Sequence, residues 1–111
     1  MDYDLYTELQ TKTRQLEASI RQLRHNGTAY AEAEKEYKIL LRTECLKLRD
    51  EGMAVTLIDK ICYGIPSVAE ARFKRDVAEA VYNANQEAIN SVKLQMRLIE
   101  GQLDREWGRD K

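Results

Sequence analysis

The stretch Leu23-Arg24-His25-Asn26-Gly27-Thr28-Ala29-Tyr30 decides how this chain folds. Asn-Gly-Thr is a natural turn between two helices, because Gly and Asn accept the left-handed backbone that ends one. The apolar residues argue against a turn. Leu9, Leu16, Leu23, Tyr30 and Tyr37 recur every seven residues on one seam position, and Ile20, Leu41 and Leu48 fall on the other. That phase crosses Gly27 without a shift, which a hairpin turn would preserve only by coincidence. The reading is therefore one helix from about residue 4 to 51, kinked at most at Gly27 and about 70 Å long at the usual helical rise.

Downstream, Gly52 stands where a left-handed C-terminal cap is wanted. The segment MAVTLIDKICYGI (residues 53–65) reads as a short helix over about 54–62 and a turn at Tyr63-Gly64. Ser67-Val68-Ala69-Glu70 has the serine-to-glutamate spacing of a capping box, so a second long helix is expected over about 67–107. Its apolar stripe reads Phe73, Val77, Val81, Ala84, Ala88, Val92, Met96, Ile99, Leu103 and Trp107.

Two long helices joined by a short tip fold back antiparallel. The expected fold is all-α: one domain over residues 1–111, a long two-helix hairpin with a short helical tip, completed by homo-oligomerisation. With a symmetric tip, facing residue numbers sum to about 119. That pairs Leu23 with Met96, Ile20 with Ile99 and Leu16 with Leu103, and sets Glu44 near Arg72 and Arg75. A lone pair of helices leaves much of each seam bare, so further copies are expected over Tyr30, Tyr37, Tyr82 and Trp107.

Composition narrows the function. The chain carries 18 basic and 19 acidic residues in 111, so no overall field draws nucleic acid or an anionic membrane. Its apolar runs are far too short to span a bilayer. The opening MDYDLYTE has neither a basic start nor an apolar core, and there are only two cysteines, Cys45 and Cys62. A reduced, cytoplasmic protein without a disulfide framework is expected. His25 is the only histidine, so one chain cannot assemble a catalytic triad or a two-histidine metal site. No phosphate-binding glycine loop or nucleophile elbow is present. The expectation is a protein that is not an enzyme and uses no cofactor or metal.

Polar residues interrupt the middle of the seam. Glu34 occupies a seam position, and the facing stretch contains Tyr82, Asn83 and Asn90. Tyrosines stack on a nucleobase while amides and arginines hold its edges and phosphates, so Arg24, Tyr30, Tyr37, Tyr82, Asn83 and Asn90 are candidate ligand contacts, with Arg72 and Arg75 for phosphate. A register-setting polar layer, as buried Asn supplies in coiled coils, explains the same residues without a ligand. The basic residues likewise fit a solvated helix face. The tip has the helix, glycine turn, helix order of a DNA-reading motif, but its second helix runs far too long and starts with Glu70 where phosphates lie.

The segments AYAEAEKEYKILLR, GMAVTLIDKICYGIPSVAEARFKRDVAEAVY and KLQMRLIEGQLDREWG resemble small helical proteins encoded by phages and prophages of Gram-positive bacteria. The resemblance covers nearly the whole chain and implies a setting, early or accessory phage genes acting in the bacterial host cell, without assigning any residue a role. The expected function is a non-enzymatic binding protein that counters host defence, in its most concrete form an oligomeric sponge for a nucleotide-derived immune signal. The alternatives are a replication or recombination accessory docking on a protein partner or single-stranded DNA, and a protein inhibitor of a defence nuclease such as a CRISPR effector. Expected partners are further copies of the chain and a nucleotide second messenger or host defence protein, ahead of nucleic acid, with no membrane.

Overall fold

A computed structural model describes residues 2–110. Its elements are helix α1 (Asp2–Asp50), helix α2 (Val55–Ile61), a 3-10 turn (Cys62–Gly64) and helix α3 (Pro66–Asp110). The chain is all-α over the described residues, and α1 packs against α3. α1 runs through Gly27 without interruption. Gly52, with φ of 89°, is the one glycine with positive φ among the described residues. Its amide donates to the Arg49 carbonyl at 2.9 Å and that of Met53 to Leu48 at 3.1 Å. This is the paired Schellman arrangement, which satisfies the last carbonyls of α1 and needs a residue without a Cβ at the turn.

The chain forms two compact units, one of Asn26–Tyr82 and one of Met1–His25 with Asn83–Lys111. In the Asn26–Tyr82 unit the buried side chains are Tyr37, Ile58, Cys62 and Val68. One cavity is bounded by Ala33, Glu36 and Leu40 from α1 and by Ser67, Glu70, Ala71 and Lys74 from α3. The start of α3 therefore lies beside Leu40, well before the end of α1, and the tip is not symmetric. α2 and the 3-10 turn bury Ile58 and Cys62.

This offset corrects the expected register. Glu34, nearly three helical turns before Glu44, meets Arg75 at 3.6 Å, while Glu44 pairs with Lys47 of its own helix at 3.3 Å. The expected capping box is also displaced. Pro66 occupies the first helical position, where its missing amide proton costs nothing, and the Ile65 carbonyl accepts from Ala69 at 2.9 Å. Ser67 and Glu70 thus lie inside the helix rather than at its cap.

The inward face of α3 differs from the expected stripe in this unit. Phe73, Val77 and Val81 are exposed, at 62%, 46% and 48%. Val68, Ala71, Arg75, Ala78 and Tyr82 are shielded, at heptad steps of three and four, and so is Glu79 beside Ala78. Tyr37 is buried and Tyr30 and Tyr82 are half-buried within the unit, so these three are not left bare for a second copy.

In the other unit Ile89 and Ile99 are buried, with Leu5, Leu9, Leu16, Leu23, Val92, Met96 and Leu103 half-buried around them. The expected pairs are again displaced. Ile99 shares a cavity with Glu8 and Lys12, not with Ile20, and Leu103 shares one with Tyr3 and Tyr6 rather than with Leu16. Ile20 is 49% exposed, and its expected seam place is taken by Ser19, whose carbonyl accepts a hydrogen bond from Asn85 Nδ2 at 3.1 Å.

Candidate functional site

The Asn26–Tyr82 unit brings four of the eight candidate residues together on the seam. Tyr30 of α1 and Tyr82 of α3 stack at 6.0 Å between ring centres with the planes tilted by 36°. Gly27, one turn before Tyr30, makes room for the second ring: a Cβ there would sit 3.2 Å from Tyr82 Cε1. Gly27 is therefore a packing glycine, not a turn glycine.

Arg75 lies on the same seam. Its guanidinium carbon is 4.7 Å from the centre of the Tyr37 ring. Its Nη1 lies 3.6 Å from Glu34 Oε1, and its Nε donates to Asp76 Oδ1 at 2.8 Å. A guanidinium suits this place because it can lie flat over the ring while its planar fork reaches carboxylates at its edge. The hydrogen bond to Asp76 is the largest influence holding the Arg75 pKa above its ordinary value, with Glu34 adding to it. Glu34 also reaches Lys38 at 3.6 Å.

The Tyr30 hydroxyl is pushed above its ordinary pKa, first by burial, then by the charges of Glu79 and Glu34 and a hydrogen bond to Glu34, with Arg75 opposing. Tyr30 stays protonated at neutral pH and donates to the carboxylate. The cluster thus closes on itself as ring on ring, cation on ring and carboxylate on cation. An incoming phosphate would have to displace Glu34 from Arg75.

The other candidates stand elsewhere. Arg72 belongs to the same unit but lies over the Tyr63 ring, 5.5 Å from its centre. Arg24, Asn83 and Asn90 belong to the other unit and are exposed on α1 and α3. An amide with a bond across the seam is that of Asn85, which the sequence reading passed over although it falls in heptad phase with Tyr82.

Cys45 and Cys62, far apart in sequence, are also brought together. The Cys45 thiol is raised above its ordinary pKa by burial first and by a hydrogen bond with Cys62 second. Cys62 Sγ also reaches the Asp59 carbonyl at 3.9 Å. Both thiols are free. Nothing in the spacing of the two cysteines signals this pairing, because it depends on α2 and the 3-10 turn folding back beside α1.

Among the described residues, no helix is long and apolar enough to cross a membrane, and no group of three or more His, Cys, Asp or Glu side chains is placed to hold a metal ion. No family model, curated protein or solved structure matches this chain.

Proposed function

We propose that this chain is a non-enzymatic binding protein that works as a homo-oligomer and counters host defence in a phage-infected bacterium, in its most concrete form by sequestering a nucleotide-derived immune signal. The observation that carries the ligand class is the seam cluster of Tyr30, Tyr37, Tyr82 and Arg75, which places stacking rings and a guanidinium on one seam, with Gly27 making room for the Tyr82 ring. The phage setting rests on the sequence resemblance alone.

Self-association is supported by what one chain leaves exposed. Phe73, Val77 and Val81, four residues apart in turn, form an apolar strip on the outside of α3. Sedimentation at micromolar concentration tests this: wild type runs as a dimer or larger and Phe73→Glu/Val81→Glu runs smaller. A monomeric wild type rejects the oligomer.

Calorimetry with cyclic dinucleotides and ADP-ribose derivatives tests the ligand class. Because Glu34 competes for Arg75, Glu34→Gln is expected to tighten binding of a phosphorylated ligand severalfold and Arg75→Met to abolish it. No heat with any of these compounds rejects the sponge. The exposed strip favours a second reading, in which the chain docks on a protein of the replication machinery or on a defence nuclease. Co-purification of such a partner with wild type but not with Phe73→Glu, together with silent calorimetry, selects it.

A further inference from the structure

The Met1–His25/Asn83–Lys111 unit contains a cavity of about 410 Å³ lined by Tyr3, Tyr6, Leu103, Asp104 and Trp107. Tyr3 and Tyr6 lie one turn apart at the start of α1, and Trp107 lies one turn beyond Leu103 near the end of α3, so antiparallel packing brings all three rings to one place. The chain has six tyrosines, one tryptophan and one phenylalanine, and three of these eight aromatic residues line this single cavity. Tyr3, Tyr6 and Trp107 remain 77%, 56% and 63% exposed, so much of each ring is open to a ligand. Among the described residues, Asp104 is the one charged residue in the lining.

We propose that this cavity is an aromatic cage for a small quaternary or methylated ammonium compound, with the rings of Tyr3, Tyr6 and Trp107 around the cation and Asp104 as its counter-charge. An N-methylated cation is weakly hydrated and apolar on its surface, so it loses little on leaving water. It then gains the attraction of several ring faces. The volume falls in the range of small-molecule sites. A nucleotide fits the same rings but not the same charge: its phosphate would face Asp104, and among the described residues no basic side chain lines the cavity. This cage is separate from the seam cluster, which lies in the other unit, and does not depend on the nucleotide reading.

Trp107 is the only tryptophan, so its fluorescence reads the cavity directly in the full chain. Titration with choline and with tetramethylammonium is expected to give a saturable change. Neohexyl alcohol, the uncharged isostere of choline, is expected to bind about fivefold or more weakly, and Asp104→Asn to weaken choline by a similar factor. Tyr6→Leu, with unchanged circular dichroism, is expected to remove the response. Equal affinity for the uncharged isostere overturns the proposal, as does tighter binding of adenosine monophosphate than of choline. Emission that follows protein dilution and ignores choline also overturns it, because a second copy then fills the cavity.

Discussion

Arg75 stacks on Tyr37, its guanidinium carbon 4.7 Å from the ring centre, at a seam position where the heptad pattern would place an apolar side chain. The arginine side chain is only 20% exposed, so its stem packs while its head is held by Tyr37, Glu34 and Asp76. Arg75→Ala is expected to lower stability by about 1–2 kcal/mol in urea melts, from lost stacking and packing. Arg75→Lys keeps the charge without the planar fork and is expected to recover less than half of that. Full recovery by lysine shows that charge alone is at work.

Gly27 and Gly101 are both helical glycines, and their surroundings differ. A Cβ at Gly101 meets only the flexible end of Arg105 at 3.7 Å, whereas at Gly27 it meets the Tyr82 ring at 3.2 Å. Gly101→Ala is expected to stabilise by about 1 kcal/mol through helix propensity. Gly27→Ala is expected to gain clearly less, and to regain the full effect in a Tyr82→Ala background. A double-mutant cycle on thermal melts measures the difference, and zero coupling between positions 27 and 82 contradicts the packing described.

Gly52 has open space around its Cα, so any cost of substitution there comes from the backbone alone. With φ at 89°, Gly52→Ala is expected to destabilise by about 1–2 kcal/mol, and Gly52→Asn by less, because asparagine tolerates the left-handed region better. Equal melting of the two variants removes the cap from the account.

Two groups make stability depend on alkaline pH. The Cys45 thiol and the Tyr30 hydroxyl are both raised in the folded chain, from ordinary values of 9.0 and 10.0. The folded state therefore holds these protons more tightly than the unfolded state. Their contribution is complete below the ordinary value and is lost as pH rises through the folded one. The urea midpoint is expected to be flat through neutral pH and to fall above about pH 9. Cys45→Ala should blunt the onset of that fall and Tyr30→Phe its later part. A profile unchanged in both variants contradicts the assignment.

Asn85 occupies a half-buried seam position, from which its Nδ2 donates to the Ser19 carbonyl at 3.1 Å. Asn85→Leu is expected to raise the melting temperature and to broaden the distribution of oligomeric states in native mass spectrometry, since a polar seam group sets register at the expense of stability. A sharper distribution with leucine shows that Asn85 is not the register device.

Much of the local structure was legible in residue order. The heptad of Leu9, Leu16, Leu23, Tyr30 and Tyr37 carried α1 through Gly27, Gly52 ended it, and Tyr63-Gly64 marked the turn before α3. The register was not legible, because it depends on where α2 comes to rest. Glu34 rather than Glu44 meets Arg75, and that offset decides every facing pair in the Asn26–Tyr82 unit. The inward face of α3 was misjudged for a related reason. Phe73, Val77 and Val81 make the more apolar stripe, yet Arg75 and Tyr82 face in, because their hydrogen-bonding and stacking partners stand on α1.

The sequence by itself determined that the chain is helical, where its helices begin and end to within a few residues, and that Leu23 through Tyr30 belongs to one of them. These properties depend on contacts within a few turns, which neighbouring residues set. Only the tertiary structure decided which residues meet across the helices, Tyr30 with Tyr82, Arg75 with Glu34 and Cys45 with Cys62, and that Trp107 lines one cavity with Tyr3 and Tyr6. A helix pair repeats its heptad every two turns and accepts several registers with similar apolar contact. The choice among them falls to a few polar and aromatic partners far apart in the chain.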